Sequence, residues 1–294
     1  MEADTSRNEQ LQQVSELSLS TAHFAQFLQK EIYEGASLNK AMRRLRKLVV
    51  CTLIKRDLCS QADLNEVITT ISLFADFVVQ QHLQALNAEM QAMHGTPIGE
   101  ESGKQQAMIV LGMGKLGGYE LNVSSDIDLI FCYAEDGETQ TTDSSQRSLS
   151  NHEYFSRLGK KLIAAISEVT EDGYSFRVDM ALRPNGASGP LVASFNMIEE
   201  YFLIQGREWE RYAWVKARAM TGNDYDIAAL EKSSALSSIV VILIMARLIP
   251  CAPCMPRYGQ KSCARKPNIQ SAAITSSLDV VAYERWNFWH RFSN

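Results

Sequence analysis

The chain has 294 residues, a formal charge of −5 and 21% charged residues, which is long enough to bury a sizeable core as one large or two small domains. This acidic balance argues against general nucleic-acid binding driven by net charge, leaves room for a local basic groove, and points to protein or nucleotide partners. The polar start MEADTSRNEQLQQVSELS is no signal peptide, and the six cysteines form no even framework, so free thiols, a cytoplasmic location and no membrane contact are expected.

Residues 1–104 read as a helical region. Leu64, Val67, Ile68, Ile71, Phe74 and Val78 recur at the three- and four-residue spacing of a helix packed on a core. The basic run at 42–47, Met-Arg-Arg-Leu-Arg-Lys, reads as a solvated helix face, and His23, His82 and His94 have no metal-ligand spacing around them. Residues 95–106 carry Gly95, Pro97 and Gly99 and a polar run, so a loop is expected there, leading into a strand over 107–112.

The second domain, 105–232, is organised around residues 108–133, MIVLGMGKLGGYELNVSSDIDLIFCY. Ile127, Leu129, Ile130 and Phe131 make a β-prone run, and the two-residue period of a strand puts Asp126 and Asp128 on one face, roughly 6–7 Å apart. Two such charges repel unless cations lie between them. Upstream, Gly112, Gly114, Gly117 and Gly118 surround Lys115, a composition that lets backbone N–H groups approach a phosphate. The glycine spacing and the missing Lys-Ser/Thr ending rule against a Walker A loop. Gly-Gly, a short spacer and Asp-x-Asp together resemble the nucleotidyltransferases typified by DNA polymerase β. That resemblance implies an α+β fold, a small mixed sheet flanked by helices, with divalent metals held by the aspartates.

Residues 135–148 are acidic and rich in serine and threonine, so a mobile surface loop is expected, followed by a helix over 151–170. Residues 174–182 alternate as a strand, with Phe176, Val178 and Met180 on one face and Arg177, Asp179 and Ala181 on the other. Asp179 is the natural third carboxylate, and Arg183 with its Pro-Asn-Gly turn is placed to bind an anion. From 194 to 220 the pattern is again helical, with Glu208, Arg211 and Arg218 near one face, where salt bridges explain the charges as well as substrate contact does.

Three motifs, GMGKLGGYELNVSSDIDLIF, FRVDMALRPNGASGPLV and GREWERYAWVKARAMTG, extend a resemblance over residues 40–230 to the bifunctional glutamine synthetase adenylyltransferase/adenylyl-removing enzymes. The resemblance implies the first of two nucleotidyltransferase copies, the adenylyl-removing one. Its implied reaction is Mg2+-dependent phosphorolysis of AMP-tyrosine on adenylylated glutamine synthetase by inorganic phosphate, releasing ADP. The ATP-dependent transferase copy is absent, and the PII regulatory protein is a partner by family only. Asp126, Asp128 and Asp179 are the implied metal ligands and catalytic residues, and Lys115, Gly117, Gly118, Ser125 and Arg183 the implied nucleotide-binding ones. Ala181 departs from the family's arginine, which implies weaker anion binding. The alternative readings are an inactive nucleotide- or regulator-binding fragment and a different nucleotidyltransferase.

Residues 233–294 read as a frame-shifted ending. Residues 238–249 are apolar but too short for a membrane span and contain Arg247, while Cys251, Cys254 and Cys263 lack a fourth zinc ligand. Moving the frame back one base forces Met245–Ala246 to Gly, Trp286–Asn287 to Glu and Trp289–His290 to Ala. With the freer codons chosen among their options, LRPFVYRRYIDYG and GGIREVEFLAQ emerge, both resembling the family's next motifs in order.

Overall fold

A computed structural model describes residues 18–141 and 147–232; the frame-shifted reading of 233–294 and the centre of the 135–148 segment lie outside the described residues. Three helices come first: α1 Thr21–Tyr33, α2 Leu38–Leu58 and α3 Leu64–His94. Ser37 caps α2 by accepting from the Lys40 amide, and Asp63 caps α3 by accepting from the Glu66 amide at 2.7 Å. Among the described residues no helix is long and apolar enough to cross a membrane.

The strands β1 Thr96–Gly99 and β2 Ile109–Gly112 follow, then the one-turn helix α4 Gly114–Gly117, β3 Ile127–Tyr133 and β4 Gly137–Gln140. β1 and β4 pair antiparallel, so two segments expected as loops form a ribbon instead. A Cβ at Gly137 would collide with the Ile98 carbonyl oxygen; this close backbone approach, which composition alone reads as loop, is what glycine permits.

Next come α5 Asn151–Ser167, β5 Val178–Asp179, a 3-10 turn at Gly186–Ser188, β6 Val192–Ser194 and α6 Phe195–Ile204. The strand expected over 174–182 shortens to two residues. At its start the Ser175 and Phe176 amides donate to the Ile166 carbonyl, and past Asp179 the chain turns. The alternation itself holds, with Phe176 and Met180 buried and Arg177, Asp179 and Ala181 exposed.

The last elements are α7 Glu208–Ala213, a 3-10 turn at Trp214–Lys216, β7 Arg218–Ala219 and α8 Asp224–Lys232. The helical reading of 194–220 is thus broken at both ends by strands. At the far end β2 offers an open edge, and Leu111 pairs with Ala219 and Gly112 with Arg218.

β3 is the axis of the main sheet. It runs antiparallel to β2 on one side and parallel to β5 and then β6 on the other. Its period of two sends Ile127, Leu129, Phe131 and Tyr133 into a large apolar cluster with α1, α2, α3 and α5. Ile130 and Cys132 enter a second cluster with Ile198, Phe202 and Trp214. The first cluster runs without interruption from the N-terminal helices into the sheet, which therefore lies between two helical layers as a mixed α+β fold.

The basic run on α2 is not a solvated face. Arg43 is buried and pairs with Glu168 at 3.2 Å; Arg44 pairs with Glu31 at 2.8 Å and Asp172 at 3.7 Å; Lys47 reaches Asp172 at 3.9 Å. Tertiary partners more than a hundred residues away override the local reading. In the core, the Phe155 ring stacks on Tyr133 at 4.9 Å and meets Tyr154 edge-on at 5.3 Å. Phe155→Ala is therefore expected to cost about 3–5 kcal/mol, measured by urea unfolding, whereas a change below 1 kcal/mol would place the core elsewhere.

Candidate active site

The start of β3 carries the charges. In the parallel pairing Asp128 stands opposite Asp179 of β5, so their side chains leave the same face of the sheet, the face that carries Ile130 and Cys132 further along. Partial burial, with Asp179 and then Asp126 nearby, pushes the Asp128 carboxyl up to about 6 from an ordinary 3.8, while Lys115 acts in the opposite sense. The aspartates are thus close enough to feel one another electrostatically.

Three elements shape the rim. The Met113 amide donates to the Asp128 carbonyl at 2.9 Å, locking the start of the glycine turn to β3. Gly114 has φ +54°, and a Cβ there would stand 3.2 Å from Oδ2 of Asp128, so glycine keeps the approach to that carboxylate open. Lys115 is exposed on α4.

The two glycines singled out in the sequence have different surroundings. A Cβ at Gly117 would collide with the Lys216 carbonyl oxygen, so Gly117 lets α4 lie against the 3-10 turn. At Gly118 a Cβ would meet only the Glu120 carboxyl, 3.3 Å away, on an open side. The Ser125 amide closes a turn onto the Asn122 carbonyl at 3.1 Å just before Asp126.

Asp126 is held by the Arg177 guanidinium, which also donates to the Ser124 carbonyl at 2.9 Å. Asp179 accepts from the Ala181 amide at 2.7 Å, and this bond fixes the carboxylate against its own turn. Arg183 donates from Nη1 to Met180 O at 2.7 Å and from Nη2 to Ala187 O at 3.2 Å, bracing the turn it was expected to open to an anion.

Behind the glycine turn, Arg218 of β7 forms a two-pronged pair with Asp76 of α3 at 2.9 and 2.8 Å, donates to Leu116 O at 3.2 Å, and lies 3.9 Å from the Tyr119 ring centroid. It does not share a helix face with Glu208 and Arg211; Arg211 instead donates to the carbonyls of Phe202 and Gly206. Sequence reasoning passed over Asp76, although a lone carboxylate inside the stripe Phe74-Ala75-Asp76-Phe77-Val78 needs a buried cationic partner.

The family model described as glutamate-ammonia ligase adenylyltransferase matches residues 3–233. The chain belongs to that family. Among curated relatives, the bifunctional glutamine synthetase adenylyltransferase/adenylyl-removing enzyme of Chromobacterium violaceum is 58% identical over 194 residues, 66% of this chain and 21% of the relative. The enzyme of the same name from Ralstonia nicotianae is 54% identical over 197 residues, 65% and 20% of the two chains, and that from Nitrosomonas eutropha 50% over 213 residues, 72% and 22%. The chain spans about a fifth of the length of these relatives. The adenylyltransferase family is one of nucleotidyltransferases, enzymes that generally use divalent metal ions.

The donor set suits such an ion: hard carboxylate oxygens, with the Asp128 pKa lifted to about 6 first by burial and then by repulsion from Asp179 and Asp126, call for a cation. Among the described residues no three potential ligands already stand gathered for a metal, and Asp126 is turned onto Arg177, so loading requires that ion pair to open.

Because its folded pKa lies above the ordinary value, Asp128 weakens the metal-free fold above about pH 6, and this cost fades as pH falls through 6 towards 3.8. Asp128→Asn is expected to stabilise the metal-free chain by about 1 kcal/mol at pH 7, after allowance for solvent screening of a partly exposed carboxylate, with no gain near pH 4. Thermal melts at the two pH values in a chelator check this; equal melting temperatures for the variant and the parent at pH 7 would contradict it.

Proposed function

We propose that this chain carries the adenylyl-removing copy of the family's nucleotidyltransferase domain, with a polymerase-β-like fold, acting on adenylylated glutamine synthetase by phosphorolysis. The observation that carries the nucleotidyl-transfer chemistry of this reading is the in-register placement of Asp128 and Asp179, with Asp126 two residues away and Lys115 nearby, while its direction rests on the sequence motif. The Gly-Gly turn between β2 and β3 and the motif NVSSDIDLIF support it, as do the relatives' names.

Asp126, Asp128 and Asp179 are the residues to hold Mg2+, which when bound neutralises phosphoryl oxygens. Inorganic phosphate arrives already anionic, so no residue of the chain needs to act as a general base on it. An unprotonated oxygen of that hydrogen phosphate bonds to the phosphorus of AMP-tyrosine, the bond to the tyrosine oxygen breaks, and the proton the phosphate carried passes to the departing phenolate, so that ADP and the unmodified tyrosine leave. Lys115, exposed beside Asp128, offers its ammonium to a phosphate oxygen. Gly118 leaves its open side for phosphate approach, and the Ser125 turn aims Asp126. Arg183 contributes by bracing the turn after Asp179, and reaches an anion only by releasing a carbonyl of that turn. ATP-dependent adenylylation and the response to PII belong to the rest of the full-length relatives, and a cytoplasmic setting follows from the substrate.

Residues 233–294 are proposed to be frame-shifted. The family match stops at 233, beside the position where the shifted codons begin to spell the family's motifs. Restoring the frame should then yield magnesium- and phosphate-dependent release of labelled AMP as ADP from adenylylated glutamine synthetase, while the 294-residue chain turns over poorly or not at all. In the frame-restored protein Asp128→Asn and Asp179→Asn should each lower turnover about a hundredfold or more with circular dichroism unchanged. Full turnover by either variant would remove the carboxylates from the mechanism, and early stop codons in the shifted frame would end the frame-shift reading.

A further inference from the structure

β3 and β5 are joined by only two residue pairs, Ile127 with Val178 and Asp128 with Asp179, preceded by one hydrogen bond from the Ile127 amide to the Arg177 carbonyl at 2.9 Å. That short ladder sets the spacing of the carboxylates, yet two-residue parallel pairing is weak by itself. Where the ladder stops, a side chain from another part of the fold takes over. Arg46 of α2 donates from Nη1 to Ser175 O at 2.6 Å and from Nη2 to Val123 O at 3.4 Å, so that one guanidinium joins the two segments that enter β5 and β3. Val123 lies three residues before Asp126, and Ser175 four before Asp179. The same guanidinium lies 5.0 Å from the Tyr174 ring centroid and 4.7 Å from that of Phe176. Phe176 in turn packs on Phe74 of α3 at 5.6 Å, so the clip is anchored to the large core.

We infer that Arg46, outside the nucleotidyltransferase segment, is a positioning residue that holds the Asp126/Asp128 strand and the Asp179 strand at the separation needed to share a divalent cation. It touches neither substrate nor carboxylate and acts through two backbone carbonyls. The other basic residues of the run differ in this respect: Arg43, Arg44 and Lys47 bind carboxylates of the segment after α5 and reach neither carbonyl. Lysine is a poor substitute, because only a planar guanidinium can pack against aromatic rings with its face while donating from its edge.

The inference rests on the three aspartates being the metal site, and its test separates the two ideas. Mn2+ serves as the probe, titrated calorimetrically into the full chain and into Arg46→Lys, Arg46→Met and the control Arg44→Met. Hydrogen exchange at the Ile127 amide is measured without metal. Both Arg46 variants are expected to bind Mn2+ about tenfold or more weakly, and to lose about tenfold of the Ile127 protection, as for one lost charged hydrogen bond. The Met220 amide, bonded to Val110 O on the far side of the sheet, should keep its protection. Arg44→Met should lower the melting temperature and leave both site readouts unchanged.

Should Arg46→Met fail to fold, Arg46→Lys decides. Unchanged Ile127 exchange in a folded Arg46 variant overturns the positioning role, as does an equal response in Arg44→Met. Failure of the parent chain to bind Mn2+ overturns the metal reading alone, and the Ile127 amide still reports whether Arg46 holds the strands.

Discussion

Placing carboxylates side by side, with Asp128 partly buried among them, is the constraint from which the rest of this structure follows. A strand pair that brings Asp128 opposite Asp179 is opposed by desolvation and by repulsion, both of which raise the Asp128 pKa. Nothing in the two-residue ladder between β3 and β5 is strong enough to hold such an arrangement, so the fold supports it from outside. Arg177 covers Asp126, the Ala181 amide fixes Asp179, and Lys115 stands as a local counter-charge.

The helical layer supplies the rigidity. α3 packs along the sheet and contributes Asp76, which holds Arg218 and through it the glycine turn; its Ser72 hydroxyl accepts from the Leu121 amide at 3.1 Å, and Gln80 donates to the Met220 carbonyl at 2.9 Å. α2 turns its basic residues onto the segments that lead into β5 and β3. Helices that look like mere scaffold in the sequence thereby determine where the loops of the site can go. The buried Asp76–Arg218 pair is costly to desolvate, and its value here is geometric, since the guanidinium has a carboxylate, a carbonyl and an aromatic face to satisfy at once.

Family membership and geometry supply different parts of the functional reading. The match over residues 3–233 gives the family, and the relatives' names give a pair of opposed activities on one substrate. The arrangement of carboxylates supports phosphoryl chemistry but does not distinguish the two directions. The proposed direction rests on the resemblance of NVSSDIDLIF to a first nucleotidyltransferase copy, an argument from sequence and not from shape.

Local sequence determined much of what is seen. Alternation placed Asp128 on a strand and Asp179 on the exposed face of its neighbour, while Asp126 falls just before the first strand residue and pairs with Arg177; periodicity found the long helices, because burial on one side writes a pattern into nearby residues. What tertiary structure alone decided lies at edges and in long side chains. Residues 96–99 and 137–140 became strands because each found the other, and 218–219 because β2 had an unpaired edge. Arg46 and Arg218 acquired their roles from partners 77 to 142 residues away. A helix period reports which side of a helix is wet, but the reach of an arginine lets a charged residue bury itself against a distant segment, and no spacing within the helix records where that segment will be.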